Sequence, residues 1–430
     1  MRRPTVLVTA PVATRSGYGA RSRDVVGALL ELDKYNIQIF PVPWGSTPQN
    51  ALVLDNPRDK AIFDCIVKDQ NELPKNPDVH IHIVVPNEFM PVGKYNIGIT
   101  AGLEASAIPQ HWIEGCNRMD LILASSKFSV DVMKSTIFSD KETGQELKIQ
   151  KPIDVLFEGV NTDVYFKKKS GDEFSKDLHD LLSQVKENWN FLFVGHWLQG
   201  GETHDRKDVG SLIRTFFTTF RGKKNTGLII KASGASTSIM DREDMLTKIR
   251  EIKMSTGIPE SQLPNIYLLH ADLYDDEVND LYNHPKVKAH ISFTHGEGFG
   301  RPLLEASLSG KPIIAPNWSG HTDFLKSPNS LLLPGGMTKI HPQSLPEGIF
   351  IDGQNWFTVN YAAASKAMLE VRKNYRKHSL NASKQAMFSR SKYTFKHMVK
   401  KLDNILDKNL PKFTETVIPK INLPKLEKVK

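Results

Sequence analysis

The residue types best suited to chemistry gather in one stretch, His295-Gly296-Glu297-Gly298-Phe299-Gly300-Arg301-Pro302-Leu303-Leu304-Glu305-Ala306. Glycines at 296, 298 and 300 let a backbone approach a ligand closely, and amides at the opening of a helix favour an anion such as a diphosphate. Glu305, one turn further on, is placed to accept two hydrogen bonds from a vicinal diol, and Glu297 to reach hydroxyls from the loop. Pro302 suits the first helical turn and Gly310 the end of that helix. A second cluster, Arg206-Lys207-Asp208-Val209, follows a strand ending at Gly195 and opens another helix. Cations are disfavoured at a helix N-terminus. Their presence there points to a task outside the helix, the stabilisation of negative charge on a leaving group. Metal chemistry has no counterpart: Asp-x-Asp, HExxH, paired CxxC and EF-hand patterns are all absent from the chain.

These residues need elements to hold them. Short apolar runs at Thr5–Ala10, Ile37–Phe40, Val79–Val85, Asn96–Thr100 and Leu121–Ala124 alternate with segments of helical period such as Ser22–Leu32. That alternation predicts parallel βαβ units. After a strand at Pro152–Leu156 and a turn at Gly159-Val160-Asn161, the same grammar resumes. Phe191–Val194, Gly227–Lys231, Ile266–Leu269, Val287–Phe293 and Pro312–Ala315 read as strands, and Val209–Phe220 and Asp241–Met254 as helices. Two doubly wound sheets turn the C-terminal ends of their strands toward a shared crevice, where ligands bind. The expected organisation is an N-terminal unit over 1–166, a second over 167–361, helices over 362–408 packing back toward the first unit, and a Lys/Pro-rich tail over 409–430.

Glu297 and Glu305, with the glycines, the proline and the Gly310-Lys311-Pro312 exit, resemble the E-x7-E signature of the retaining glycosyltransferase group 1 family, also called glycosyltransferase family 4. The resemblance implies the GT-B architecture: two Rossmann-like doubly wound α/β domains facing across a deep cleft. It also implies a sugar moved from a nucleotide donor, a UDP- or GDP-sugar, with retention and without a metal or further cofactor. Arg206 and Lys207 are similar to the pair that meets the donor diphosphate, although the family often carries Arg directly after the glycine, where this chain has His196. Gly298, Phe299, Gly300 and Glu305 then bind the donor and Glu297 orients its sugar. Arg15-Ser16-Gly17-Tyr18-Gly19-Ala20 resembles the N-terminal glycine loop, which makes Gly17 and Gly19 donor-binding candidates. Glu104, in the loop after Asn96–Thr100, stands near the point where family members place a polar residue, commonly His, against the transferred sugar. It completes the catalytic candidates with Arg206, Lys207 and Glu297. The segment Phe157–Asp163 resembles the stretch leading into the interdomain linker. His80 and His82 read as buried or edge histidines, and Trp44, His111 and Trp112 as packing or as an acceptor groove.

At 430 residues the chain exceeds one ordinary domain, and 40% hydrophobic with 24% charged residues suits a soluble protein. Two distant cysteines, Cys65 and Cys116, no signal-peptide pattern and no membrane-spanning run together give a cytoplasmic expectation. The net charge of +8 is uneven: residues 366–430 carry 17 Lys and Arg against 5 Asp and Glu. Such a segment either is a solvated face or contacts nucleic acid or anionic lipid. The acceptor is accordingly left open between a saccharide, which is favoured, and hydroxymethylated bases in DNA gripped through the basic segment. A nucleotide-sugar epimerase or a non-catalytic sugar-nucleotide binder of the same fold is the remaining alternative.

Overall fold

β-Branched and aliphatic runs become strands buried on both faces, as parallel sheets flanked by helices require. The computed structural model describes residues 2–139, 142–198, 202–234, 237–344, 350–351 and 353–413. In the first unit β1 (Thr5–Ala10), β2 (Asn36–Pro41), β3 (Val79–Ile83), β4 (Tyr95–Thr100) and β5 (Leu121–Ala124) alternate with α1 (Gly17–Leu32), α2 (Pro57–Asp64), α3 (Gln110–Asn117) and α4 (Lys127–Ser135). A small antiparallel ribbon, β6 (Phe138–Ser139) with β7 (Glu146–Leu147), precedes β8 (Ile153–Val155). The sheet runs β2-β1-β3-β4-β5-β8, wholly parallel, with registers such as Val6↔Val79 and Ile97↔Leu121.

The second unit starts with α5 (Lys176–Ser183) and β9 (Asn190–His196). It continues through α6 (Val209–Thr219), β10 (Gly227–Ser233), α7 (Ile239–Ser255), β11 (Ile266–Leu269), α8 (Asp275–Asn283), β12 (Val287–Ile291), α9 (Arg301–Ser307), β13 (Ile313–Pro316) and β14 (Leu331–Leu333). Its parallel sheet has the order β11-β10-β9-β12-β13-β14. An antiparallel hairpin absent from the strand pattern follows, β15 (Gly335–Lys339) with β16 (Asn355–Val359). The chain closes with α10 (Tyr361–Lys373), α11 (Tyr375–Lys392) and α12 (Phe395–Asn409).

The chain changes units at Glu158–Val160, a few residues before the expected 166/167 boundary. Leu156 belongs to the first core, whereas Val160 and Tyr165 belong to the second. It returns at Tyr393–Phe395, where Val160 bridges Thr394. The two crossings lie side by side, and a Cβ on Gly159 would come within 2.7 Å of the Phe395 Cα. Of the three terminal helices only α12 packs back on the N-terminal unit. Met398, Val399, Leu402, Ile405 and Leu406, an amphipathic stripe, are buried with Val25, Val26 and Leu29 of α1. α10 instead buries Ala364, Met368 and Val371 against Phe216 and Phe217 of α6, because its apolar stripe fits the aromatic core of the second sheet. Residues 414–430, most of the expected tail, lie outside the described residues.

Candidate active site in the interdomain cleft

The strand ends of both sheets open onto one cavity of about 1670 Å³ between the units. Glu104, Arg206, Lys207, Glu297, Gly298, Phe299, Gly300 and Gly17 all lie on its wall. Folding therefore gathers residues drawn from four separate loops of the chain. Among the described residues no group of three His, Cys, Asp or Glu side chains is placed to hold a metal ion.

Arg206 and Lys207 are displayed by a turn whose first acid, Asp205, the sequence pattern did not single out. The Asp205 carboxylate accepts hydrogen bonds from the amides of Lys207 (3.1 Å) and Val209 (3.2 Å), with Gly210 at 3.4 Å, and so satisfies the exposed donors at the start of α6. Asp208 stands at the N-cap position in the left-handed region, φ 50°, without a side-chain capping bond, and accepts the Tyr361 hydroxyl at 2.6 Å. Burial raises the pKa of both aspartates to about 6, and Asp208 adds repulsion at Asp205. Two acids flanking two cations were the available signal. Asp205 caps the turn from behind, leaving the cations to the cleft.

Each cation meets a carboxylate there. Lys207 Nζ pairs with Glu297 Oε1, both side chains 13% exposed. Arg206 Nη1 reaches Glu104 Oε1 at 2.6 Å across the interdomain gap. Burial alone would raise Glu297, but Lys207 and Arg206 outweigh it and hold the carboxyl below its ordinary value. Burial, then the neighbouring Arg206, lowers Lys207, with Glu297 opposing. His196, where the family pattern often has Arg, lies on the same wall, with its Nδ1 3.2 Å from the Ser233 hydroxyl.

The glycines of the 296–300 loop also have a packing reason, beside the expected approach of a ligand. A Cβ on Gly298 would come within 2.5 Å of the Ala101 carbonyl oxygen, and one on Gly296 within 2.7 Å of the Glu104 Cβ. They let this loop lie directly against the N-terminal unit. Gly300, at φ 94°, turns the chain into α9. The Phe299 ring is buried against Phe324, centroids 5.1 Å apart, and serves packing.

Glu305 is set one layer behind the cavity wall. It is 7% exposed, its Oε1 accepts Arg301 Nε at 2.9 Å, and its Oε2 is 3.5 Å from the Tyr282 hydroxyl. Burial pushes it up to about 8 although Arg301 opposes. Arg301 also pairs with Asp24 of α1, which Arg58 holds at 2.8 Å, and lies 4.0 Å from Glu158. Burial raises Asp24, but Arg301 and Arg58 together bring it below its ordinary value. Asp24, Glu158 and Arg301 were not predicted as site residues. The arginine immediately after the glycine loop was the one signal for them.

On the N-terminal side, Gly17 opens α1 with free space around it, whereas Gly19 packs inward, where a Cβ would come within 2.1 Å of the Thr14 carbonyl. Ser16 caps the helix by accepting the Gly19 amide at 2.9 Å. Tyr18 and Trp44 stack at 4.1 Å and 21° on the cavity wall. Trp112 is a core residue at 1% exposure. His80 and His82 are buried in β3, bonded to Thr9 (2.9 Å) and to the Met90 amide (3.1 Å), and burial lowers both to about 4.

No family model matches the chain, and no curated protein sequence matches it. Solved structures do match. HepE from Anabaena in complex with UDP and glucose superposes with a TM-score of 0.57 at 13% identity, covering 94% of this chain and 100% of that one. A glycosyltransferase from Rickettsia africae ESF-5 gives 0.60 at 14%, covering 95% and 99%. Sucrose-phosphate synthase from Thermosynechococcus elongatus gives 0.61 at 11%, covering 95% and 99%. The protein has the GT-B fold: two parallel six-stranded α/β domains facing across a cleft.

Proposed function

We propose that the protein is a retaining glycosyltransferase that moves a sugar from a nucleotide donor to a saccharide hydroxyl. The observation that carries the reading is the meeting of Arg206, Lys207, Glu104 and Glu297 on one wall between the domains. The GT-B neighbours include a protein solved with UDP and glucose, which supports the same assignment of the cleft.

In this reading the donor diphosphate lies against Arg206, Lys207 and the Gly298–Gly300 main chain. Those cations stabilise the charge that the phosphate gains as its bond to the sugar C1 breaks. The acceptor oxygen bonds to C1 on the face the phosphate leaves, and a phosphate oxygen takes the acceptor proton, so no enzymic nucleophile is required. Glu297 orients the sugar. Glu305 is assigned to the ribose through Oε2, since Arg301 occupies Oε1, and to reach it the side chain must come forward from behind the wall and give up the Tyr282 hydroxyl. The Tyr18–Trp44 pair offers an apolar face of the kind that packs against a pyranose ring. The charge chemistry is complete without a metal, and the cytoplasm is the fitting compartment.

Titrating UDP into the wild-type chain and into Lys207→Ala by calorimetry tests donor binding, with an expected loss of about tenfold or more in affinity. Unchanged affinity sinks the assignment. Incubating candidate nucleotide sugars without acceptor separates the epimerase alternative, which alone converts donor to an isomer. The DNA alternative draws on exposed cations of α11: Arg376, Lys377, Lys384, Arg390 and Lys392. A steep fall of duplex binding with salt would favour it.

A further inference from the structure

Trp356 belongs by sequence to the C-terminal unit, yet it is buried in the N-terminal core. It is 2% exposed and clusters with Leu103, Ile108 and Trp112, accompanied by Ile340 from the same hairpin. Its ring also stacks on His295, centroids 4.0 Å apart at 7°. His295 directly precedes Gly296-Glu297, and its amide donates to the Arg206 carbonyl at 2.9 Å. Next to Trp356, the Asn355 carbonyl accepts the Ser106 amide at 2.9 Å, and the Asn355 amide donates to Ser106 Oγ at 3.2 Å. The Gln354 amide group donates to the Ala107 carbonyl at 2.6 Å. Ser106 and Ala107 follow Glu104 almost immediately. Three segments, carrying Glu104, Arg206-Lys207 and Glu297, therefore hang from residues 354–356, although Trp356 is not on the cavity wall.

We propose that Trp356 is a positioning residue and that the β15–β16 hairpin is a strut holding the two domains closed without donor. Hinge opening would have to withdraw two buried apolar side chains from the N-terminal core and break three hydrogen bonds at once. The strut thereby fixes Glu104 of the N-terminal unit against Arg206 of the C-terminal one. The closure follows from packing alone, while the effect on turnover rests on the glycosyltransferase reading.

Small-angle scattering on the full chain without ligand tests the closure. The wild-type profile is expected to match the closed arrangement of the two domains and to stay unchanged on adding UDP. Trp356→Ala is expected to increase the radius of gyration, and Trp356→Phe to restore most of the compactness. UDP affinity, carried by Arg206 and Lys207 from one domain, should not weaken and should rise by up to about fivefold as Glu104 leaves Arg206, while donor turnover falls by about a hundredfold in Trp356→Ala and far less in Trp356→Phe. Ile340→Ala/Gln354→Ala supplies the same measurements should Trp356→Ala fail to fold. A wild-type chain that is expanded alone and contracts with UDP, or open-domain variants that remain compact with full turnover, overturns the proposal. If the wild type turns over no nucleotide sugar, the functional reading falls, and the scattering still decides the strut.

Discussion

The Lys207 ammonium and the Glu297 carboxylate, 90 residues apart in the chain, form an ion pair on the wall of the interdomain cavity. Neither lies on a regular element: one leaves the Asp205–Asp208 turn and the other the loop before α9. Their encounter is a product of two strand ends in one sheet, β9 and β12, which are neighbours.

Removing one partner strands a poorly solvated charge. Lys207→Met and Glu297→Gln are each expected to lower stability by about 3 kcal/mol, because each leaves a poorly solvated charge without its partner. The double variant should recover most of the stability yet remain inactive on donor. Additive losses in urea unfolding would show that the pair is not coupled.

Glu104 competes with a diphosphate for Arg206. Glu104→Gln should therefore tighten UDP binding by about fivefold, in keeping with a partly exposed ion pair, while reducing sugar transfer. Calorimetry beside initial rates checks this, and weaker UDP binding in the variant would rule the competition out.

Gly298 faces the Ala101 carbonyl, which belongs to the other domain. Gly298→Ala forces the loop away from it and should cost about 2 kcal/mol, whereas Gly17→Ala, with open space around it, should be nearly silent in stability. Equal thermal melts for the two variants would contradict the packing.

Asp205 and Asp208 carry folded-state pKa values of about 6 against an ordinary 3.8. The folded chain then binds more protons than the unfolded chain between those values. The pair's contribution to stability falls as pH rises from about 4 to about 6 and is constant above. Asp208→Asn removes one of the two sites, so the variant should gain about 2 kcal/mol relative to wild type across that interval. The difference between the two proteins in denaturant midpoints at pH 4.5 and 7 measures it. A difference independent of pH would mean that Asp208 is ionised throughout.

Sequence by itself determined the alternation of strands and helices, because a parallel strand buried on both faces must be a short apolar run and its crossover helix must carry a stripe. It also determined where chemistry gathers: the Arg206-Lys207 pair and the Glu297–Glu305 loop both follow strand ends, where helix openings and glycines can be read locally. Tertiary structure decided what those residues touch. Arg301 joins Asp24 and Glu305, the 296–300 glycines clear room for the opposite domain, and Trp356 crosses between cores. The β15–β16 hairpin was illegible because Gly335–Lys339 is exposed throughout and has no alternating apolar pattern. Its role exists only through contacts with residues far away in the chain. Local periodicity records which face of an element is buried, but the partner across a domain gap is chosen by the whole fold.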